Sequence, residues 1–529
     1  MHPRSLDVDE HPRPPLRRSR SFYLCLVLLV APVYSLVPLS WAYVLYSLAT
    51  LHTLLDGWQW SWLHRALFLY CLSEVLFSLY HYKLYRSVAE VPAPAPVDIH
   101  LLRTCLTRVL EAGMVSASSS GDEKAATVAV DPMAIFEPLA ADDPRAVDFR
   151  DRLRTWFRGI PWSAIHQHEM YAWLYWATFG EHFTGLDDIP DGHRAALQDA
   201  LQLLQYRIGR TLPEGSNPAG RPYLLKLDAI SVWGRPFVYY AFIASVNHLI
   251  RRHFSRKHGA RVGRFRQLEY ILHVPESWEP SGPNPIVFFH GLGVGFLQYS
   301  QLIHRLLDEF PDRPVLVLRQ PSISQEIFHP RHLQPMARAE MVESMYALLE
   351  NLGWTTYGVT VLSHSNGSIP HAWLVKEYPR LVRRSCFVDP VVFCTWEGDV
   401  CYNFVYRPPT DGLRLLMRYF VGTELGIANT IQRHFDWADN TLWFEEIPNA
   451  HDSASTKFYL GGRDAIVASE VSSSRRVRRY LLAHGAHDGA GVVWNPNGVH
   501  GEAMLHRGRD LDDIFSWLAQ NQGHVTVKS

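Results

Sequence analysis

From Phe22 to Leu55 the chain carries no Asp, Glu, Lys or Arg. That run is longer than the roughly 20 apolar residues a helix needs to cross a bilayer. It predicts a membrane-inserted helix, with Pro32 and Pro38 predicting a kink or tilt. A signal peptide fits poorly, because the run is long and no small-residue cleavage site follows it. A second apolar stretch, Ala66 to Tyr82, is flanked by Arg65 and Lys83 and interrupted by Glu74. It either completes a helical hairpin or lies in the interface, where Trp58, Trp60 and Trp62 suit an aromatic belt.

Charge around these stretches favours the hairpin. Five Arg precede the first, Lys83 and Arg86 follow the second, and only Arg65 lies between. The positive-inside rule then turns both outer flanks to the cytosol. The single N-x-[ST] match, Asn366-Gly367-Ser368, belongs to a turn discussed below and points weakly the same way. The expectation is an integral membrane protein with its catalytic part in the cytosol, on an endomembrane such as the endoplasmic reticulum. The rest of the chain divides into a polar basic tail (1–21), an anchor of one or two helices (22–90), a mostly helical region (91–261) and a catalytic domain (262–529).

Composition excludes several classes. An apolar share of 47% excludes whole-chain disorder. The 51 Lys and Arg against 52 Asp and Glu argue against nucleic-acid binding. Six Cys in 529 residues are no disulfide scaffold. There is no HExxH, no CxxC pair and no P-loop, so neither metal nor cofactor is expected.

The middle of the chain is less informative. Residues 91–97 read as a Pro-rich stop, and the stretch near 115–145 as a loop without order. Residues 149–254 are mostly helical. His166, His168 and His182 lie among Trp, Tyr and Phe, which reads as ordinary packing rather than a metal site. His182 to Asp187 matches an H-x-x-x-x-D spacing, but 27 His make chance matches expected.

From Arg264 short apolar runs alternate with amphipathic helices. Strands are predicted near residues 265–274 (one strand or a hairpin), 285–289, 314–318, 359–362, 385–388, 457–460 and 491–494. Helices fall at 299–310, 341–352, 368–378, 471–483 and 511–518. This alternation builds a mostly parallel sheet covered on both faces, with its site outside the carboxyl ends of the strands. Three motifs fall at such ends. Ser363-His364-Ser365-Asn366-Gly367 joins a strand to a helix, with Ser365 at the head of the helix. His290-Gly291-Leu292-Gly293 follows another strand, and its glycines let backbone N–H groups turn toward a developing oxyanion. The expected donors are the amides of Leu292 and Asn366, with His290 shaping the loop. Asp464 follows one late strand and His500 the next. Asp389, after the strand at 385–388, stands where the α/β-hydrolase family, which these turns resemble, sometimes keeps its acid, and is the alternative acid; His484, His487 and His506, near His500 in sequence, are rival bases.

From about Val262 to Asn521 these residues resemble the α/β-hydrolase fold. The turn at Ser365 resembles its nucleophile elbow, G-x-S-x-G, with Ser363 in place of the first Gly. The loop at His290 resembles its oxyanion loop, and the chain order Ser365, Asp464, His500 is that family's order. With its anchor and insert the chain resembles membrane-tethered fungal or protist members, and the resemblance implies a Ser–His–Asp triad. It also implies that the aromatic-rich insert near 394–455 is a helical lid over a lipophilic pocket. The expected activity is hydrolysis of hydrophobic esters, lipids among them, at the bilayer. An acyltransferase with the same triad and a non-catalytic scaffold are the alternatives.

Overall fold

The structure, a computed structural model, describes residues 8–13, 15–50, 60–90, 99–112, 114, 137–467 and 473–520. Trp58, the stop at 91–97, residues 115–136 of the loop expected near 115–145 and the first residues of the helix expected from 471 lie outside them. The end of that loop is not without order, since the Leu139 amide bonds the Tyr206 carbonyl (3.0 Å) and Asp143 caps a helix that begins at Pro144.

A helical stretch opens the chain as α1 (Arg20–Cys25), a π turn (Leu26–Val30) and α2 (Ala31–Ala49). Ser19 caps it, its hydroxyl accepting from the Phe22 amide. α3 (Trp62–Ala89) runs beside α2, with Val44 packed on Cys71 and Val75, and Trp41 Nε1 donating to Ser78 Oγ at 3.0 Å. Both helices are long and apolar enough to cross a membrane, and most of their apolar side chains are exposed.

The helical region follows as α4 (Ile99–Glu111), α5 (Pro144–Leu153), α6 (Gln167–Phe179), α7 (Asp191–Ile208) and α8 (Phe237–His258). It is not a separate lobe. Phe149, Leu153, Trp156 and Trp173 share one continuous core with one face of the sheet beyond. The segment read as a basic tail is also packed at residues 8–13. Asp9 and Arg150 are fully buried and paired at 2.6 Å, and Arg154 donates to the carbonyls of Val8 and His11. The Pro/Arg composition suggested a solvated tail, but a buried guanidinium needs a counter-charge, and Asp9 supplies it. The flank before α1 and the region after α3 therefore sit together, as the two ends of a hairpin must.

The sheet has eight strands: β1 (Arg261–Phe265), β2 (Leu268–His273), β3 (Ile286–Phe289), β4 (Val315–Arg319), β5 (Val359–His364), β6 (Val382–Val388), β7 (Thr456–Gly461) and β8 (Val492–Asn495). Their order is β1-β2-β4-β3-β5-β6-β7-β8. β1 and β2 form an antiparallel hairpin, β2 is antiparallel to β4, and the pairs from β4 to β8 are parallel. The stretch at 265–274 thus holds the last residue of β1, the turn at Arg266 with φ +50°, and the whole of β2, so it is the second arm of a hairpin that begins earlier, at Arg261.

Side chains alternate between the two faces, as the pleat requires. Ile286 and Phe288 join a core with α9 (Phe296–Glu309) and the last helix, while Val287 and Phe289 join the other core. The second face carries α10 (Arg338–Asn351) and α11 (Ser368–Glu377). The insert after β6 is a series of short pieces: α12 (Asp399–Cys401), a π turn (Tyr402–Tyr406), α13 (Gly412–Met417), a second π turn (Arg418–Gly422), α14 (Leu425–Arg433) and α15 (Trp437–Asn440). α16 (Ser473–Ala483) precedes β8, and α17 (Glu502–Leu505) and α18 (Arg509–Ala519) close the fold.

Candidate active site

β5 delivers Ser365 at its carboxyl end with φ +53°, a left-handed conformation costing a non-glycine residue about 1–3 kcal/mol. The turn after it is tight. A Cβ on Gly367 would stand 2.2 Å from the carbonyl oxygen of Phe289, so only glycine fits two residues on. Ser363, two residues before, is small and has a partner of its own. Its Oγ lies 2.8 Å from His371 Nδ1, and His371 Nε2 lies 3.1 Å from Ser385 Oγ. Burial holds the His371 imidazole down to about 3, so this buried chain carries no charge.

The Ser365 hydroxyl meets His500 Nε2 at 2.8 Å, and His500 Nδ1 meets Asp464 Oδ2 at 2.6 Å. The other Asp464 oxygen accepts from the amides of Ile466 (2.7 Å) and Val467 (2.9 Å), which fixes the carboxylate plane. Asp464 and Ser365 are buried, and His500 is half-buried. Burial alone would lower the His500 pKa. The charge and hydrogen bond of Asp464, with Asp389 behind it, outweigh that and raise it.

Asp389, the alternative acid, is turned elsewhere. Its φ is +43°, and its two oxygens accept from the amides of Gly461 (2.9 Å) and Gly501 (2.7 Å). It ties the end of β7 to the loop after β8, the two segments that carry Asp464 and His500. Burial, and then the Asp464 charge, push its carboxyl well above the usual carboxylate range. His484 bonds the carbonyl of Tyr480, and His487 and His506 are exposed, so none of the rival bases meets Ser365.

The loop after β3 presses on the serine. A Cβ on Gly291 would lie 2.9 Å from Ser365 Cβ. His290 is buried, its Nδ1 donating to the Gly291 carbonyl (2.8 Å) and its Nε2 accepting from the Gln320 amide (3.3 Å). Burial keeps it neutral, as expected of a residue that shapes the loop. The Gly293 amide bonds the Ile323 carbonyl, holding the far end of the loop. Among the described residues the amides of Leu292 and Asn366 have no hydrogen-bond partner. Two residues that the sequence patterns did not single out complete the loop's support. The Tyr299 hydroxyl accepts from the Gly291 amide (3.0 Å) and donates to His364 Nδ1 (2.6 Å), and burial keeps His364 neutral. A tyrosine inside an amphipathic run and a histidine at a strand end carry no local signal of that pairing.

Asn366 also borders a cavity of about 80 Å³, walled by Ile323, Ile369, Trp373, Ile431 and Phe435. Two groups of His and carboxylate side chains have ligand atoms within 4.8 Å of one another among the described residues. One is Asp389, Asp464 and His500, whose atoms are engaged as above. The other is His258, His304 and Asp308, where the Lys257 ammonium already stands 2.9 Å from His304 Nε2. His166, His168 and His182 form no such group.

No family model and no curated protein matches the chain. Among solved structures it is similar to MGS-MChE2, an α/β-hydrolase enzyme from the metagenome of lagoon sediments at Mar Chica, Morocco (16% identity, TM-score 0.31, 49% of this chain and 97% of that one). It is also similar to a membrane phospholipase A described as a bacterial virulence factor (16%, TM-score 0.33, 53% and 92%). A third is the carboxylesterase CesB from Bacillus subtilis (11%, TM-score 0.31, 53% and 99%). The strand order, with β2 antiparallel beside β4, and the sharp turn from β5 into α11 give residues 261–519 the α/β-hydrolase fold.

Proposed function

We propose that the chain is a membrane-anchored serine hydrolase that cleaves carboxylic esters, with lipids and other hydrophobic esters as its substrate class. The observation that carries the reading is the unbroken hydrogen-bonded line from Ser365 Oγ through His500 to Asp464. His500 Nε2 takes the seryl proton as Oγ bonds the ester carbonyl carbon, and the carbonyl oxygen becomes an oxyanion facing the amides of Leu292 and Asn366. Collapse breaks the bond to the leaving alcohol, which takes the proton back from His500 and leaves an acyl-serine. Water then attacks with His500 as base. The acid departs and Ser365 regains its proton.

The wider setting supports the lipophilic substrate and the anchor. Two long apolar helices precede the site, and the described flanks of the pair pack against the same helical region. The basic residues on those flanks favour the cytosolic face for the hydrolase half.

A fluorophosphonate probe tests the nucleophile. Labelling is expected on Ser365 of the detergent-solubilised chain and absent from a folded Ser365→Ala variant. Undiminished labelling of that variant refutes the assignment. Product analysis with a labelled acyl donor reads the acceptor: free acid is expected, and transfer to an added alcohol in preference to water overturns hydrolysis.

A further inference from the structure

Glu74 lies in the middle of the second apolar helix, and its carboxylate is fully buried. Its two oxygens accept from the amides of Phe237 (2.5 Å) and Val238 (3.0 Å), the first residues of α8. Each group answers the other's need. The opening amides of a helix have no partner within it, and the dipole there favours a negative charge. A carboxylate within an apolar helix is costly unless such donors reach it. The contact therefore fixes where α8 begins. From Glu74 to the basic flank at Lys83 is roughly 14 Å along the helix at 1.5 Å per residue, about half of a ~30 Å hydrocarbon core.

The surface of α8 agrees with that depth. Its outward stripe runs Val238, Phe242, Ser245, Leu249, Arg252 and Arg256, all exposed at helical spacing. Apart from Ser245 the stripe is apolar through Leu249, and it ends on the basic Arg252 and Arg256. Phe242 is 60% exposed and Leu249 62%. Two exposed aromatics flank the helix and touch the hairpin. Trp233 meets the ring of Tyr34, and Phe328 meets the ring of Phe77. Leu413, half-exposed on α13, stands where that helix packs against α1 through Leu415 and Phe22. The apolar surface of the hairpin thus continues onto α8 and the insert.

Resting on the reading of the hairpin as a membrane anchor, we propose that the first half of α8 is a third membrane-embedded element. It descends into the cytosolic leaflet beside α3, with Glu74 holding its amino end and Arg252 and Arg256 among anionic headgroups. The occupant of its open face is lipid. The hydrolase half is then seated in the bilayer surface rather than suspended above it, and the insert meets the leaflet beside the cavity at Asn366.

The test places a genetically encoded environment-sensitive fluorophore at Phe242, at Leu28 on the first apolar helix, or at Tyr357, an exposed residue before β5. The full chain is reconstituted into vesicles of phosphatidylcholine and phosphatidylserine, with or without nitroxide-labelled lipid. The expected result is loss of most emission at 242 and at 28, and none at 357. Quenching at 28 without quenching at 242 overturns the proposal and leaves the anchor standing. Blue-shifted but unquenched emission at 242 means that protein, such as a second copy of the chain, covers the face, and overturns it equally. Absence of quenching at both 28 and 242 defeats the anchor reading, and the proposal with it.

Discussion

Asp464→Asn separates the charge of this side chain from its shape. One Asp464 oxygen accepts from the amides of Ile466 and Val467, and the other faces His500 Nδ1 at 2.6 Å. An asparagine must leave its oxygen on the two amides, because turning it over would set its NH₂ against two N–H groups. The NH₂ then points at Nδ1, which has to present a lone pair. The ring proton moves to Nε2, where it faces Ser365 Oγ, and the imidazole in that tautomer takes no proton from the serine. The charge that steadies the imidazolium is lost as well. We expect kcat/KM for a chromogenic ester to fall about 10⁴-fold, or ~5 kcal/mol of transition-state stabilisation. Folding stability should change little, since both amide bonds survive. The assay is ester hydrolysis by the detergent-solubilised chain, with a thermal melt alongside. A loss of about tenfold or less, ~1.4 kcal/mol, refutes the tautomer argument. A larger loss in Asp389→Asn than in Asp464→Asn would make Asp389 the acid.

Three further outcomes follow from the geometry. Because the His500 pKa is raised, activity should fall on the acid side with a midpoint above the ordinary imidazole value, as the imidazolium takes no proton from Ser365. Asp389→Asn removes one of the two carboxylates behind that charge, so the midpoint of the pH–kcat/KM profile should move down, and an unmoved midpoint contradicts the coupling. Gly367→Ala drives a Cβ onto the backbone of Phe289, which should cost about 1–3 kcal/mol or more in thermal unfolding and abolish activity. Gly192→Ala, with nothing within 4 Å, is the control, and equal stability of the two variants would mean that the turn yields. Asp9→Ala strands the buried Arg150 and should destabilise by about 3–5 kcal/mol in chemical denaturation, with Asp9→Ala/Arg150→Leu recovering much of the loss. An unaffected single variant would mean that residues 8–13 are not held to α5.

The sheet was legible because its central strands are buried on both faces. Ile286–Phe289 and Val315–Leu318 read as unbroken apolar runs, and the chemistry-bearing motifs are short turns that follow such runs. What the sequence hid was pairing across distance. Asp9 finds Arg150, Glu74 finds the start of α8, and Asp389 finds Gly461 and Gly501, and each pair is separated by at least 72 positions. No local period encodes such a contact. Asp389 was especially ambiguous, since an acid after that strand suits either of two roles, and only the direction of its oxygens separates them. At 265–274 the sequence left one strand or a hairpin open, because the turn at Arg266 uses a positive φ without glycine or asparagine, the usual markers. The division at residue 261 followed a change of pattern, not a gap between cores.

That last point bears on how the site is built. Thr430, Ile431, His434 and Phe435 wall the cavity beside Asn366, and Arg433, on the same helix as Thr430 and Ile431, donates to the carbonyls of Val88 and Ala89 at the end of α3. The insert is also held to the first apolar helix by Leu415 and Tyr419 against Phe22 and Val30, and by the Ser19 amide on the Thr410 carbonyl. The insert that supplies this wall is thus bonded to both arms of the hairpin. Trp156 and Trp176 of the helical region pack in the same core as Trp396 and Phe393 at the root of the insert, and Ile431 and Phe435 of the wall pack against that core too. Cutting the chain at 261 would bare that core and free the cavity wall together. The cavity beside Ser365 and Asn366 is lined by the hydrolase half alone, but the insert that walls it is itself held in place by the apolar hairpin and the helices that follow it.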